Sequence, residues 1–179
     1  MKILKGKDFT LSNTCVTIGK FDGVHIGHRS ILKELKRFKE EQGLNTVVLT
    51  FDFSFFSKNP EDRLNSYEEK IKILEALDID IMIDYPFDEE TKNLEAEDFV
   101  KQVLLKRLGA KAVIVGDNFR FGHKAGGDAA LLKKMGEKFG FDAVIIPCVN
   151  FEGSAVSSTR IRDEKNEGHI EKVHLMLGE

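Results

Sequence analysis

Two histidines, His25 and His28, sit either side of a glycine in Thr17-Ile-Gly-Lys-Phe-Asp-Gly-Val-His-Ile-Gly-His28. The stretch joins a β-branched apolar run to an amphipathic one, so it marks a strand-to-helix turn. Such a turn can bring imidazole N–H groups, backbone N–H groups and the positive end of a helix dipole against one phosphate chain. Gly23 and Gly27 allow conformations and close approaches that a Cβ would resist. Two further stretches carry polar groups of the same kind. Gly116-Asp-Asn-Phe-Arg-Phe-Gly122 combines a carboxylate, an amide, an arginine and two aromatics. Its Asn118 can donate to a phosphate or ribose oxygen, Arg120 is a bidentate phosphate partner or a clamp for the loop, and Phe119 or Phe121 can stack on a planar ring. Val156-Ser-Ser-Thr-Arg-Ile-Arg162 reads as a second helix start, where the hydroxyls of Ser157, Ser158 and Thr159 cap free N–H groups that can also hold phosphate oxygens.

The elements that position these groups follow from the hydrophobic pattern. Residues 14–19, 46–51, 79–84, 111–115 and 142–146 are short apolar, mostly β-branched runs and predict strands. Helical spacing predicts helices over 28–42, 66–77, 96–108 and 128–139, then over roughly 158–165 and 169–177. Gly43 is a C-cap for the first, and Ser66-Tyr-Glu-Glu69 is a capping box for the second. Strands alternating with helices of this length imply βαβ units: an α/β, Rossmann-like three-layer sandwich with a mostly parallel sheet. Ligands then gather at the carboxyl ends of the strands. The histidine turn, Phe51-Asp-Phe-Ser-Phe-Phe56, the 116–122 loop and the 156–162 segment all follow strands, so one edge of the sheet should collect them.

Length and charge narrow the function. A chain of 179 residues is one domain with room for a substantial core. A formal net charge of −3 argues against a general nucleic-acid binder, which carries a basic excess. Cys15 and Cys148 fall in apolar strand-like runs and read as buried free thiols in a reducing, cytoplasmic setting. No signal peptide and no membrane-spanning run is expected. There is no serine or cysteine nucleophile constellation, no P-loop and no GxGxxG fingerprint. No further His/Cys cluster accompanies the two histidines, so no metal ligands are expected there. The residues point to phosphoryl chemistry without a covalent intermediate.

Gly19-Lys-Phe-Asp-Gly-Val-His-Ile-Gly-His28 resembles the HxGH signature of the nucleotidylyltransferase superfamily, in the form found in bacterial FAD synthetases. The segments 115–122 and 156–162 resemble the other two signatures of that family, in the same order. The resemblance spans nearly the whole chain. It implies an FMN adenylyltransferase that moves AMP from ATP to FMN with Mg²⁺, giving FAD and pyrophosphate. It further implies that His25, His28 and Asn118 are catalytic, with His28 stabilising charge on the α-phosphate. ATP and its phosphates would meet Gly19, Phe21, Gly27, Ser157, Ser158, Thr159 and Arg162, and the flavin would meet Phe51, Phe53, Phe55, Phe119 and Arg120. Two departures stand out. Where family members carry a Thr-Phe-Asp-Pro-His-Pro type segment, this chain has Thr50-Phe-Asp-Phe-Ser-Phe55. The chain also stops about where the family's riboflavin kinase module begins, so it is read as a single adenylyltransferase domain without that module, either on its own or as a fragment of a longer protein. Two alternatives stay open: a sister nucleotidylyltransferase with another phosphate-ester acceptor, and a non-catalytic flavin or nucleotide sensor.

Overall fold

The computed structural model describes residues 1–51 and 63–179. Its elements run β1 (Lys2–Lys5), β2 (Thr14–Ile18), α1 (Ile26–Gln42), β3 (Asn45–Phe51), α2 (Tyr67–Ala76), β4 (Ile81–Tyr85), α3 (Glu89–Lys92) and α4 (Ala96–Phe99), the last continuing as a π-helical stretch over Val100–Arg107. Then come β5 (Ala110–Gly116), a short hairpin of β6 (Arg120–Phe121) and β7 (Gly127–Asp128), α5 (Ala129–Phe139) and β8 (Asp142–Ile146). A second hairpin, β9 (Asn150–Phe151) with β10 (Ser154–Ala155), precedes α6 (Ser158–Asn166) and α7 (Ile170–Leu177).

Six strands form one parallel sheet in the order β1-β4-β3-β2-β5-β8. All five strands expected from the pattern are present within two residues of their expected ends. β1 was not expected: Lys2-Ile-Leu-Lys5 is short, carries a lysine at each end and pairs on one side only, so it lacks the continuous apolar run of a buried strand. The expected continuous helix over 96–108 changes character at Val100, where the Leu108 N–H reaches back to the Val103 carbonyl.

The caps explain where the helices begin and end. Gly43 and Gly140 adopt left-handed conformations at φ 67° and 79° and close α1 and α5. Ser66 and Glu69 form the reciprocal capping box of α2. The first turn of α5 is capped by Asp128, whose carboxylate accepts the Leu131 N–H at 2.8 Å.

Cores lie on both faces of the sheet, as the α/β reading requires. On one face Leu32, Leu35 and Phe38 of α1 and Leu74 of α2 pack on Cys15, Val48 and Met82. On the other, Phe99, Val103, Leu104, Leu132 and Met135 pack on Val16, Leu49 and Val113. At roughly 1.5–3 kcal/mol for each large side chain removed from water, these two layers dominate the stability. A third, smaller cluster joins α6 and α7 through Ile161, Val173 and Met176.

The chain moves from β2 outward to β3 and β4, then crosses back so that β5 flanks β2 on its other side. The reversal opens a crevice between the carboxyl ends of β2 and β5, where ligands bind in folds of this kind.

Candidate active site

β2 leaves the sheet at Gly19 and turns over in five residues. The turn is strained: Phe21 has φ +48°, Gly23 +85° and Val24 +30°. Only glycine adopts such values freely, so Phe21 and Val24 cost on the order of 1–3 kcal/mol each. Several contacts hold them there. The Lys20 carbonyl accepts the Thr50 hydroxyl at 3.0 Å and the Lys70 ammonium at 2.9 Å. The Phe21 ring, 1% exposed, is buried beneath the turn, and a Cβ at Gly19 would lie 3.2 Å from it. Leu64 and Leu177 press on Gly23, where a Cβ would come within 2.8 Å of Leu64.

The turn delivers the two histidines to the start of α1. The helix begins at Ile26, two residues earlier than the pattern suggested, because His25 itself is the cap: its Nδ1 accepts the His28 N–H at 3.4 Å. A neutral His25 ring with Nδ1 as acceptor carries its proton on Nε2, as a donor. The rings of His25 and His28 stack with centroids 3.8 Å apart, and the Phe21 ring lies 4.7 Å from that of His28. A Cβ at Gly27 would come within 3.1 Å of the His25 ring, so glycine makes room for the imidazole over the helix start. Burial lowers the His25 pKa to about 4. The His28 pKa also falls well below its ordinary value, through burial first and then the positive charges of His25 and Lys70. Both imidazoles are therefore neutral at pH 7 and can donate N–H bonds without carrying charge. The His28 Nδ1 is buried and has no partner among the described residues.

α6 faces this turn with the same logic. The Ser157 hydroxyl accepts the Arg160 N–H at 3.2 Å, leaving Ser158 and Thr159 N–H groups with no intrahelical acceptor. The Ser158 hydroxyl is spent on the Asp22 carbonyl at 2.7 Å, so its backbone is what it offers a ligand. Arg160 clamps the β9–β10 hairpin through the Phe151 and Ser154 carbonyls, whereas Arg162 pairs with Asp22 at 2.7 Å and lines the cleft.

Across the crevice, the loop after β5 is held to the loop after β8. The Asp117 carboxylate accepts the Cys148 N–H at 3.1 Å and its thiol at 2.7 Å. Cys148 thus departs from expectation. It lies beyond β8, half-exposed at the cleft rim, because β8 ends at Ile146 and Pro147 cannot continue the ladder. The hydrogen bond to Asp117 raises its pKa, and burial pushes the Cys15 thiol up to about 12. Neither is set up as a nucleophile.

These groups enclose a cavity of about 570 Å³, lined by the histidines, Gly19, Lys20, Gly27, Asn118, Ser157, Ser158, Thr159 and Arg162. Lys20, Arg120 and Arg162 line it and, among the described residues, no carboxylate does, in a chain whose formal net charge is −3. A second cavity of about 300 Å³ adjoins it, lined by Phe51, Phe87, Phe99, Phe119 and Phe121. The two share Ile18, Gly19, Lys20, Phe119 and Arg120. Phe121 is 7% exposed and anchors the loop, while Phe119 stacks on it at 5.4 Å and divides the cavities. Arg120 is exposed and donates to the Phe119 carbonyl. His123–Ala125 form a single 3₁₀ turn that closes the β6–β7 hairpin.

Every expected residue of the nucleotide half thus borders or underlies one cleft. Of the expected flavin residues, Phe51, Phe119 and Arg120 border the second cavity, and Phe53 and Phe55 lie outside the described residues. Phe87 and Phe99 were missed. Phe87 follows the third of the expected strands, and the rule that ligands gather at strand ends points to it once applied to that strand as well.

The family model for FAD synthetase matches residues 7–160. This chain belongs to the FAD synthetase family. Among curated relatives it is 37% identical over 172 residues to the bifunctional riboflavin kinase/FMN adenylyltransferase of Buchnera aphidicola subsp. Schizaphis graminum, covering 93% of this chain and 55% of that protein. The protein of the same description from Buchnera aphidicola subsp. Acyrthosiphon pisum is 33% identical, over 99% of this chain and 59% of its own length. The chain therefore spans a little over half of each. A crystal structure from Streptococcus pneumoniae, described as a macrolide-efflux protein, superposes with a TM-score of 0.86 at 25% identity, covering 99% of this chain and 62% of that one. The three segments that resemble the family's signatures thus border one cleft, on a six-stranded parallel sheet. Among the described residues no helix is long and apolar enough to cross a membrane.

Proposed function

We propose that these 179 residues transfer the adenylyl group of ATP to FMN. The observation that carries the reading is the pair of adjoining cavities: one cationic, with no carboxylate among its described lining residues and fed by two helix starts, the other walled by phenylalanines. A triphosphate suits the first and a planar isoalloxazine the second, and the FMN phosphate would meet the α-phosphate near Gly19-Lys20. An FMN phosphate oxygen attacks the α-phosphorus, the bond to the β-phosphate oxygen breaks, and pyrophosphate leaves. No protein nucleophile is required, so catalysis rests on positioning and on stabilising developing charge.

In this reading His25 Nε2–H, His28 and the α1 start hold the phosphates, and His28 gains most as charge builds on the α-phosphate. Asn118, the N–H groups of Ser158 and Thr159, and Arg162 hold the rest of the chain. Phe21 acts indirectly by seating His28. Phe51, Phe119 and the newly found Phe87 and Phe99 wall the flavin, with Arg120 at the boundary. Among the described residues beside the cleft, the carboxylates of Asp22 and Asp117 are already engaged, by Arg162 and Leu64 and by Cys148. Mg²⁺ would be held by the triphosphate oxygens and would neutralise their charge, and no step here depends on a protein ligand to it. A reducing, cytoplasmic setting belongs to the same reading, since Cys15 and Cys148 are both free thiols.

Incubation with FMN, ATP and Mg²⁺ should yield FAD and pyrophosphate by chromatography. Binding of both substrates without pyrophosphate release would make the chain a sensor, and turnover only with another phosphate ester would make it a sister enzyme. Riboflavin with ATP should give no FMN from these residues.

A further inference from the structure

We propose that Asp22 is a positioning residue for the nucleotide: it aims Arg162 into the cleft and locks the histidine turn to α6. The proposal rests on the reading of the larger cavity as a nucleotide site. Asp22 is 4% exposed, and every oxygen it offers is taken by a segment distant in sequence. Its Oδ1 accepts the Leu64 N–H at 2.9 Å, its Oδ2 accepts Arg162 at 2.7 Å, and its carbonyl accepts the Ser158 hydroxyl at 2.7 Å. Three pieces of chain are thereby brought to one residue: the turn, the start of α6, and the stretch entering α2.

The charge geometry gives this hub a role beyond packing. Arg162 is 30% exposed while its partner carboxylate is 5% exposed, so the pair sits with the acid inside and the base facing the cavity. One terminal nitrogen of the guanidinium bonds Asp22 and the other lies 3.5 Å from the Thr159 hydroxyl. A guanidinium is planar with donors in a fixed fork, so fixing one edge aims the rest. The Leu64 N–H holds the second carboxylate oxygen, so Asp22 cannot rotate away to follow Arg162. Asp22 itself does not line the cavity, and a carboxylate facing a triphosphate would repel it. It works through Arg162.

Nucleotide binding is read with a non-hydrolysable ATP analogue, and FAD formation separately. Asp22→Asn keeps the size, removes the charge and sets an amide against the guanidinium. It should weaken the analogue about tenfold, the scale of one charge-assisted hydrogen bond, with kcat at saturating ATP changed less than about threefold and FMN binding within about twofold. A purely structural role would weaken both ligands alike. In a double-mutant cycle with Arg162→Met, the double variant should bind the analogue no worse than Arg162→Met alone. Multiplied losses, or wild-type binding in Asp22→Asn, would overturn the proposal. Should Asp22→Asn alone fail to fold, the comparison of Arg162→Met with the double, which removes the charge of both partners, decides the same question. A wild-type chain that binds the analogue but makes no FAD would remove the adenylyltransfer reading while leaving Asp22 to be judged on the same titrations. A wild-type chain that does not bind the analogue would remove both.

Discussion

The larger cavity and its aromatic neighbour are assembled in opposite ways. The first draws its groups from contiguous stretches: the histidine turn contributes Gly19 through His28, and the start of α6 contributes Ser157 through Arg162. The second draws one phenylalanine from each of five places: β3, the loop after β4, α4, the loop after β5, and β6. Backbone N–H groups and imidazoles must be aimed to within a few tenths of an ångström, which a short strained turn can do. A planar ring needs only apolar surface at van der Waals distance, which scattered side chains supply. The nucleotide half should therefore be brittle to point changes and the aromatic half tolerant of them.

The most severe test of that contrast is His28→Ala. Loss of a donor to transition-state charge should lower adenylyl transfer on the order of a hundredfold or more, with ATP binding changed only a few-fold. Steady-state kinetics beside an ATP titration decides it. An unchanged kcat with a raised KM would confine His28 to ground-state binding.

Acid should strike the same half next. The His25 pKa is lowered from 6.5 to about 4 by burial, and that of His28 is lowered as well. Above pH 6.5 both folded and unfolded chains hold neutral imidazoles, and the stability of the buried neutral state is fully present. As the pH falls from 6.5 toward 4, the unfolded chain binds protons that the folded one refuses, so stability declines. For His25 alone the loss approaches about 3 kcal/mol. Denaturant melts from pH 7 to 4 should show it, and His25→Ala should flatten the slope. A slope unaltered by that change would assign it to other groups.

A smaller but sharper cut is Gly27→Ala. The new Cβ would meet the His25 ring at 3.1 Å, on a helix where alanine is otherwise favoured. Turnover should drop about tenfold as the imidazole is displaced, since small misplacements at a reacting centre are costly. The melting temperature should barely move. A fully active variant would show that the His25 ring position is not critical.

The smallest effect should come from the aromatic half. Phe87→Ala should weaken FMN several-fold, at roughly 0.5–1.5 kcal/mol for a ring contact beyond area burial, and leave ATP untouched. Equal weakening of both ligands would break the division between the cavities.

Much of this molecule could be read along the chain. Period and propensity marked five of the six sheet strands and the helices between them, because a strand buried on both faces is continuously apolar and a packed helix repeats at 3.6 residues. β1 escaped because an edge strand with lysine at each end obeys neither pattern. The segments proposed to hold the nucleotide were legible because their geometry is local: a cap, a glycine and a neighbouring imidazole act within a few residues. The partners of Asp22 were not. Arg162 lies 140 residues away and Leu64 lies 42 away, and no periodicity links them. Cys148 was read as buried because the run around it is apolar, but it follows Pro147 beyond the strand and lies half-exposed. The sequence by itself determined that a parallel α/β sheet would bring histidines and two helix starts to one edge. Only the tertiary structure decided that Phe51, Phe87, Phe99 and Phe119 share a wall, and that a buried carboxylate joins the turn to α6. Local conformation follows from near neighbours, whereas a cavity is made by strand order, and strand order is settled by burial of the whole sheet.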